Sequence, residues 1–368
     1  MGNTDLCIVF GTRPSFIKLW PVWRALRALG QEPTVVCTGQ HDELVRQHMS
    51  ILDMPVDVWL DVMRDSRGLA ETLALVIERV AAVVRELRPR LVVVHGDTTS
   101  GLGAGLAAFH LGITVAHVEA GLRSGHYQSP YPEEVNRIAL DALATLLFAP
   151  TTRAAAQARV TNPQARVELT GNPVVDAVQH VREMESTQYS VAFHAPYKRG
   201  ILLELHRRES FGPGLLAMAE AVIEGAATRG DEVVWPAHPN PAVQKAVAAL
   251  QGKYRNLFIE PPMDYGFFLA VAHASCLIVT DSGGVVEEAC TLGTPTLQLR
   301  DHTDRPEAIP IFSWLAGRDP AKIRDLVTVA LDNAESWRRQ IQGRANPFGD
   351  GHAGERIAGI ILEWLAHE

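Results

Sequence analysis

Carboxylates stand at the ends of two apolar stretches in the first half of the chain. Asp97 follows "RLVVVHG", and Glu119 lies near the end of "ITVAHVEAG". Two more, Glu133 and Glu134, begin a predicted helix in "PYPEEVNR". Because the carboxyl ends of parallel strands share one edge of a sheet, we expect these three clusters to converge there. Carboxylates brought together in this way favour general acid/base catalysis, in which they take up and return protons.

A structural interpretation of the same carboxylates stays open beside the chemical one. Asp97 could cap the next helix by accepting its backbone amides, and Glu133 and Glu134 could be favourable charges in a first helical turn. For Glu134 the two interpretations are equally well supported. For Asp97 and Glu119 we favour chemistry, because small glycine-rich turns direct both toward the crevice at the edge of the sheet.

Positive side chains follow a predicted strand in each half of the chain. In "FGTRPSFIK" a glycine turn leads into a helix that begins near Arg13 and Lys18. Backbone amides at a helix N-terminus attract anions, so this stretch indicates a phosphate-binding element. In the second half, "HRRES" adds His206, Arg207 and Arg208. The two arginines could instead form solvated or interdomain salt bridges.

A second phosphate-binding element is indicated by "TDSGGVVEEA". Ser282, Gly283 and Gly284 allow the backbone to approach a phosphate at a helix N-terminus. Glu287 or Glu288 lies one turn further along, where a carboxylate suits ribose hydroxyls. Neither element is a GxGxxG or a Walker A loop, so the sequence gives no support for NAD or ATP. It predicts a nucleotide diphosphate held between two domains.

These residues need a scaffold in which strands and helices alternate. Between the strand-like stretches, "KLWPVWRALRAL" and "LAETLALVIERVAAVVRELR" carry apolar residues at helical spacing. This βαβ rhythm predicts a parallel sheet with helices on both faces. The rhythm breaks at the polar stretch 183–198 and then restarts, so we predict two doubly wound α/β domains joined by a linker. The predicted strands are "LCIVFG", "EPTVVCTG", "RLVVVHG", "ITVAHVEAG", "GILLELH", "DEVVWPAH", "NLFIEP", "SCLIVTD" and "TPTLQLR".

The composition is that of an ordinary globular protein. The 368 residues, 47% of them hydrophobic and 21% charged, suffice for two cores. A formal net charge of −8 argues against a surface for nucleic acid or anionic membrane. The N-terminus shows no basic segment or cleavage site, and no apolar run reaches transmembrane length, so we predict a cytoplasmic location. The cysteines form no CxxC pair, which predicts reduced core thiols rather than metal ligands: Cys7, Cys37, Cys276 and Cys290.

A series of motifs, in order and at consistent spacing over nearly the whole chain, resembles the non-hydrolysing UDP-N-acetylglucosamine 2-epimerases. The motifs are "GTRPSFIK", "TGQH", "VHGDTTS", "HVEAGLRS", "SPYPEEVNR", "TGNPVVDA", "HRRES", "TDSGGVVEEA", "RDHTDRPEA" and "NPFGDG". The resemblance implies a glycosyltransferase-B fold, with two Rossmann-like domains facing a cleft, and a homodimer. The last helix should return to the first domain. We therefore expect a catalytic domain of residues 1–175 plus 354–368 and a UDP-binding domain of residues 176–353.

The resemblance also implies a reaction and a set of site residues. The reaction is the reversible conversion of UDP-GlcNAc to UDP-ManNAc, through elimination of UDP to 2-acetamidoglucal and re-addition, without a metal, a nicotinamide or another cofactor. Asp97, Glu119 and Glu133 would be the acid/base carboxylates, and His206 with Arg13 would stabilise the departing diphosphate. The remaining substrate-binding residues are Lys18, His238, Ser282, Gly283, Gly284, Glu288 and Arg305.

Three other functions remain as alternatives. A hydrolysing epimerase would release ManNAc and UDP from the same substrate. A glycosyltransferase of the same fold would bind a UDP-sugar but would need an acceptor cleft instead of carboxylates around C1 and C2. A noncatalytic UDP-sugar sensor would bind the substrate without exchanging the C2 hydrogen.

The chain departs from the family in places. The family usually has Glu at Ser15, a small residue at Leu205 and Gln at Val286. In bacterial members a second UDP-GlcNAc can act as an activator, held in part by residues that follow "QH" and by the loop near Ser66. Here Asp42 and Glu43 follow Gln40 and His41, and carboxylates disfavour a diphosphate, so we predict that activation is lost. Alternatively, Arg64 or Arg67 supplies the missing positive charge.

Overall fold

The chain divides into two compact units. The computed structural model describes residues 5–39, 49, 51–62, 68–188, 200–207 and 210–367. Unit 1 comprises Met1–Ala177 and Phe348–Glu368, and unit 2 comprises Val178–Pro347. The boundary between Ala177 and Val178 lies within a helix. The chain therefore re-enters unit 1 at Phe348, six residues before the predicted return at 354.

The described strands fall into two sheets. In chain order they are β1 (Leu6–Phe10), β2 (Thr34–Cys37), β3 (Val58–Trp59), β4 (Leu91–His95), β5 (Thr114–Val118), β6 (Leu146–Ala149), β7 (Arg166–Leu169), β8 (Gly200–Glu204), β9 (Glu232–Pro236), β10 (Leu257–Glu260), β11 (Leu277–Thr280), β12 (Thr296–Gln298) and β13 (Ser313–Leu315). Unit 1 has the order β3-β2-β1-β4-β5-β6-β7, and unit 2 has the order β10-β9-β8-β11-β12-β13. All described strand pairs are parallel.

The described helices alternate with these strands. They are α1 (Arg13–Ala28), α2 (Leu69–Leu87), α3 (Thr99–His110), α4 (Glu133–Leu143), α5 (Thr152–Thr161), α6 (Pro173–Gln188), α7 (Pro213–Ala227), α8 (Pro241–Leu250), α9 (Tyr265–Ala274), α10 (Gly283–Leu292), α11 (Pro320–Ile341) and α12 (Ala353–His367). None of the helices in the described part of the chain has both the length and the hydrophobicity needed to cross a bilayer.

The two central strands of unit 1 form the middle of its core. Every residue of β1 and β4 is buried, as expected for parallel strands whose two faces are both covered. Helices α2 and α3 pack closely at Gly103, where an added Cβ would lie 2.6 Å from Val76 Cγ1. Helix α12 packs on α1 in the same way, with Gly354 against the backbone of Pro21.

Each sheet has one point at which the strand order reverses. In unit 1 this point lies between β1 and β4, and in unit 2 it lies between β8 and β11. Loops that leave the carboxyl ends of such strand pairs diverge and leave a crevice, which is where α/β proteins bind their ligands. The turns after β4 and β8 carry Asp97 and His206. Sheet topology therefore brings predicted site residues to the ligand-binding edge of each unit.

The prediction of two doubly wound α/β units is confirmed, and some local predictions are wrong. Strands β3, β6, β7 and β13 were not predicted; three of them, β3, β7 and β13, lie at the edges of their sheets. The apolar sequence of β6 continues directly from that of α4. Residues 183–188 of the predicted linker belong to α6, and residues 189–198 lie outside the described part. As predicted, Cys7, Cys37 and Cys290 are buried and form no disulfide, whereas Cys276 is half-buried.

Candidate active site

Glu119 is the most constrained carboxylate at the edge of the unit 1 sheet. It directly follows β5 and has a φ of +70°, in the left-handed region that non-glycine residues avoid. The buried ammonium of Lys18 donates to its Oε2, and Asn172 Nδ2 donates to the same oxygen at 2.7 Å. Strained backbone at a ligand-binding edge persists only where surrounding contacts hold it. Lys18 and Asn172 supply these contacts for Glu119.

His95 lies beside Glu119 and packs against the start of α1. Its Nδ1 is 3.2 Å from Ser15 Oγ, and its Nε2 is 3.6 Å from Glu119 Oε2. Nε2 is buried and has no hydrogen-bond partner among the described residues. Burial lowers the pKa of His95 below its ordinary value, against the opposing effect of Glu119. His95 is therefore a neutral imidazole in contact with the carboxylate site.

Asp97 is the more open of the two carboxylates. Its side chain is 20% exposed, whereas that of Glu119 is 4% exposed. Asp97 Oδ2 accepts a hydrogen bond from the buried guanidinium of Arg137 on α4, and Asn136 Nδ2 donates to the Asp97 carbonyl at 2.9 Å. A Cβ at Gly96 would lie 3.9 Å from Glu119 Oε1. The Glu119 carboxylate thus lies next to the residue that precedes Asp97.

Helix capping, the structural alternative for Asp97, is performed by another residue. Thr98 is the N-cap of α3, and its hydroxyl accepts the amide of Gly101 at 3.0 Å. Asp97 is left to pair with Arg137. The hydroxyl of Thr98 therefore does the capping, and the catalytic role of Asp97 stays a prediction.

Glu133 and Glu134 lie in the first turn of α4 and have different environments. The Glu134 carboxylate is buried, accepts the amides of Ser124 and Gly125 at 3.0 and 3.1 Å, and lies 3.3 Å from Arg137 Nη1. It thereby fixes the loop that follows β5. For Glu134 the structural interpretation is the better one. Glu133 is half-buried at the first position of the helix.

A buried histidine–aspartate pair, which was not predicted from the sequence, holds the two turns that carry Asp97 and Glu119. His117 Nδ1 is 2.8 Å from Asp141 Oδ1, and His117 Nε2 is 2.8 Å from the carbonyl oxygen of Gly96. Asp141 Oδ2 also accepts the amide of Gly121 at 3.1 Å and a hydrogen bond from Arg123. The Gly96 turn precedes Asp97, and Gly121 follows Glu119 by two residues.

In unit 2 the imidazole of His206 is paired with a carboxylate. Glu204, the last residue of β8, contacts His206 Nδ1 through Oε1, and Thr280 Oγ1 donates to Glu204 Oε2 at 2.9 Å. Burial lowers the pKa of His206, but the charges of Glu204 and Asp281 and the hydrogen bond from Glu204 outweigh it. The pKa of His206 is consequently raised above its ordinary value. The imidazolium form is favoured.

Asp281 connects the two strand ends at the unit 2 switch point. Its Oδ1 accepts the amide of His206 at 3.1 Å, and its Oδ2 accepts the amide of Arg207 at 3.1 Å and the hydroxyl of Ser210 at 2.7 Å. Burial raises the pKa of Asp281. These bonds tie the loop after β8 to the end of β11 and fix the backbone position of His206.

His238 is brought next to His206. The two rings stack with their centroids 5.7 Å apart and an interplanar angle of 23°. His238 Nδ1 accepts the amide of Asn240 at 3.1 Å, so the proton of a neutral His238 ring is on Nε2. The structure therefore brings together two predicted site residues that are 32 positions apart in the chain.

The glycine-rich start of α10 is shaped by an arginine. Ser282 is the N-cap, and its side chain makes no capping hydrogen bond. A Cβ at Gly283 would lie 3.0 Å from the Arg305 guanidinium carbon, so close packing accounts for this glycine. At Gly284 the nearest atom would be 3.9 Å away, which leaves room at the helix start.

The acidic residues of α10 are buried. Glu287 accepts a hydrogen bond from Arg305 Nε at 2.8 Å, and Arg305 also pairs with Asp304. Glu287 is therefore part of an internal ion pair, and of the two carboxylates considered for ribose binding, Glu288 remains the prediction. The binding of nucleotide by Arg305 and Lys18 also remains a prediction, since the structure engages both cations with carboxylates.

One cluster has the composition of a metal site. Glu204, His206 and Asp281 offer ligand atoms within 4.8 Å of one another, and these residue types bind metal ions. Both oxygens of Asp281 already accept hydrogen bonds, and Glu204 is shared between His206 and Thr280. We therefore interpret the cluster as a hydrogen-bonded network that orients the imidazole.

Of the remaining predicted residues, Arg13 is described and the others lie outside the described part of the chain. Arg13 is the first residue of α1 and is half-buried. The predicted activator residues and one arginine of "HRRES" lie outside the described residues: Gln40, His41, Asp42, Glu43, Arg64, Ser66, Arg67 and Arg208.

Besides the His117–Asp141 pair, four residues that build the site were not predicted from the sequence. Two of them carried a usable signal: Glu204 is the only charged residue of an otherwise apolar strand, and Asp281 directly follows one. Asn172 and Arg137 carried none, because each reaches its carboxylate from a distant position in the chain.

Comparisons with known proteins agree over the whole chain. The family model described as UDP-N-acetylglucosamine 2-epimerase matches residues 24–362. The UDP-N-acetylglucosamine 2-epimerase of Yersinia pestis is 39% identical over 361 residues, covering 95% of this chain and 96% of that protein.

Solved structures agree with this similarity. The UDP-GlcNAc 2-epimerase from Neisseria meningitidis, bound to UDP-GlcNAc, superposes with a TM-score of 0.91 at 33% identity, covering 99% of this chain and 100% of that one. The S. aureus MnaA co-structure with UDP gives 0.90 at 33% identity, covering 99% and 97%. The predicted fold class, with Rossmann-like units of the glycosyltransferase-B type, is confirmed by these neighbours. Given similarity of this extent in sequence and in structure, the chain belongs to the UDP-N-acetylglucosamine 2-epimerase family.

Proposed function

We propose that this protein interconverts UDP-GlcNAc and UDP-ManNAc by eliminating UDP to 2-acetamidoglucal and adding it back. The observation that carries the proposal is the neighbouring position of the Asp97 and Glu119 turns, at the ligand-binding edge of a chain of this family. Relatives solved with UDP-GlcNAc or UDP support the substrate class.

The chemistry explains why carboxylates are needed. The hydrogen on C2 of the sugar is not adjacent to a carbonyl group, so a carboxylate cannot remove it directly at a useful rate. When the C1–O bond breaks first, C1 becomes oxocarbenium-like and acidifies the C2 hydrogen. A carboxylate then takes the proton, leaving 2-acetamidoglucal and UDP. Delivery of a proton to the opposite face of C2, with re-addition of UDP at C1, gives the epimer.

Unit 1 is proposed to handle the protons. Inversion at C2 needs acid/base groups that reach both faces, and Asp97, Glu119 and Glu133 are the proposed groups. The partly exposed Asp97 and the Lys18-bound Glu119 differ in environment, so the two carboxylates are not equivalent. Their turns are held by the His117–Asp141 pair, which supports the positional accuracy that proton transfer needs.

Unit 2 is proposed to hold UDP. The start of α10 presents backbone amides with room at Gly284, and helix N-termini favour phosphate groups. His206 is proposed to stabilise the charge that develops on the diphosphate as the C1–O bond breaks. The same role for Arg13, which the family resemblance implies, stays a prediction. His238, stacked on His206, is proposed to contact the same nucleotide.

The test is NMR spectroscopy of UDP-GlcNAc incubated with the protein in D2O. We expect UDP-ManNAc to appear and deuterium to enter C2 of both nucleotide sugars. Accumulation of free ManNAc with UDP would identify a hydrolysing epimerase instead. An unchanged substrate would favour a glycosyltransferase that lacks its acceptor, or a sensor. Sedimentation analysis tests the homodimer that the family resemblance predicts.

A further inference from the structure

Glu204 is an unusual residue for the end of a central strand. It closes β8, whose other residues are Gly200, Ile201, Leu202 and Leu203, and the residue is only 7% exposed. Burial of a carboxylate is costly unless hydrogen bonds or an opposite charge compensate for it. The position therefore needs a reason beyond the packing of the sheet.

Both oxygens of this carboxylate are engaged. Oε1 contacts His206 Nδ1, and Oε2 accepts the hydroxyl of Thr280 at 2.9 Å. The Thr280 oxygen in turn accepts the amide of Ser282 at 2.9 Å, which leaves its hydrogen free to point at Glu204. The carboxylate is therefore fixed in one orientation, with Oε1 directed at the imidazole.

The other groups around His206 complete its electrostatic environment. Asp281, after β11, accepts the His206 backbone amide and adds a second negative charge. Arg207, the next residue, opposes these charges, and the His238 ring from the end of β9 stacks on the imidazole. His206 Nε2 has no hydrogen-bond partner among the described residues, and the side chain is 30% exposed.

We propose that Glu204 is a positioning residue for His206: its carboxylate accepts a hydrogen bond from Nδ1–H, holds the ring as an imidazolium and presents Nε2–H to the departing diphosphate. The inference rests on the proposed function for the role of His206. As the C1–O bond breaks, the Nε2–H group donates a hydrogen bond to the diphosphate oxygen, and the same contact is lost again on re-addition. Any proton passed to that oxygen returns to Nε2, so the enzyme ends each turnover unchanged.

The raised pKa of His206 agrees with this arrangement. A carboxylate in contact with an imidazole favours the cation, and a neutral amide does not. Glu204→Gln keeps the shape of the side chain and an acceptor oxygen for Nδ1–H, but it removes the charge. This variant therefore separates the proton-holding effect of Glu204 from its packing.

The experiment compares the wild type with Glu204→Gln in two ways. The His206 ring is titrated by NMR in the absence of substrate, with its signal assigned from the His206→Asn spectrum. The pH profile of kcat/KM is measured with UDP-GlcNAc. We expect the pKa of His206 to fall by about 1 unit in the variant, and the upper limb of the profile to move down by the same amount. Activity should be nearly normal near the lower limb and reduced ~10-fold at higher pH.

Two further variants separate charge from structure. Glu204→Asp keeps the charge and should retain the raised pKa and most of the upper limb; if Asp and Gln prove equally defective, Glu204 is only structural and the inference is overturned. Glu220→Gln, on α7 of the same unit, is the matched control, because Glu220 pairs with Lys253 and lies away from His206. It should change neither measurement.

The outcomes distinguish this inference from the proposed function. An unchanged pKa of His206 in Glu204→Gln overturns the inference whatever the activity. A lowered pKa with an unmoved pH profile overturns it as well, because turnover then does not use the proton that Glu204 holds. Failure of the proposed function would instead appear as absence of the epimer from the wild-type D2O reaction, and the ring titration does not depend on that reaction.

Discussion

The molecule contains two histidine–carboxylate pairs that differ in what surrounds them. His117 and Asp141 in unit 1 are fully buried, and both ring nitrogens of His117 lie 2.8 Å from oxygen atoms of the protein. In the pair of His206 and Glu204 in unit 2, Nδ1 is the one ring nitrogen that contacts another described residue, and the side chain is 30% exposed. We call the first the sealed pair and the second the open pair.

The difference teaches what such a pair does in each place. In the sealed pair, His117 holds the Gly96 carbonyl and Asp141 holds the Gly121 amide, so the pair fixes the positions of these two turns. In the open pair, our proposal assigns Nε2 of His206 to a ligand, and Glu204 then directs the Nε2 proton at the edge of the sheet. The chemical groups are alike, and the surrounding acceptors decide whether they serve the fold or the reaction.

Removal of a proposed acid/base carboxylate of unit 1 should have the largest effect. Asp97→Asn and Glu119→Gln should each lower turnover ~10²–10⁴-fold, as expected for loss of a general acid or base, while affinity for UDP changes little. Initial rates and calorimetric titration with UDP measure the two quantities. Near-normal turnover in both variants would remove these carboxylates from the mechanism.

Replacement of the open histidine should have the next largest effect. His206→Asn should lower kcat ~10²–10³-fold, because a donor that stabilises developing charge is lost. Its thermal unfolding midpoint should fall only modestly, because the side chain is partly exposed and the Asn amide keeps a donor for Glu204. A large loss of stability with normal kcat would instead show that the open pair serves the fold.

The sealed pair should respond in the opposite way. Asp141→Asn removes the charge that pairs with His117 and Arg123, and should lower the free energy of unfolding by about 3 kcal/mol. Urea unfolding measures this change. The kcat of the folded fraction should fall far less than in His206→Asn, and a selective loss of kcat at unchanged stability contradicts the division into sealed and open pairs.

Asp176 is a half-buried carboxylate held by backbone amides, and it sharpens the comparison with a smaller effect. It accepts the amides of Ala353 and Gly354 at the start of α12. Burial raises its pKa from 3.8 to about 6, against the opposing effect of these amides. Between these pH values the folded protein binds more protons at this site than the unfolded chain does. The free energy of unfolding therefore falls as pH rises through this window, by about 2 kcal/mol, and the contribution is constant above it.

Asp176→Asn isolates that contribution. The variant loses one of the two oxygens that accept backbone amides, which shifts its stability by a constant amount. It also lacks the carboxyl group that titrates between pH 4 and 6. Urea unfolding of both proteins across this range should give a wild-type minus variant difference that decreases with rising pH. A difference that is flat with pH would mean that Asp176 titrates normally in the folded protein.

The architecture could be predicted from the sequence because the strands and helices of a parallel α/β fold have clear local patterns of apolar residues. Long apolar stretches such as β4 and β8 are buried on both faces, and the helices between them are amphipathic over several turns. Short edge strands such as β3 and β13 depend on their neighbours more than on their own two or three residues. Their existence is decided by pairing, which a local pattern does not contain.

For the site, the sequence determined which residues stand at strand ends: Asp97, Glu119, His206 and the start of α10 follow apolar stretches whose ends could be read directly. Only the tertiary structure decided what each of them contacts. Lys18 lies 101 positions from Glu119, Arg137 lies 40 from Asp97, and Thr280 lies 76 from Glu204. The physical reason is that hydrogen bonds and ion pairs act over a few ångströms in space, and the strand order of each sheet, not the chain, sets which side chains come within that range.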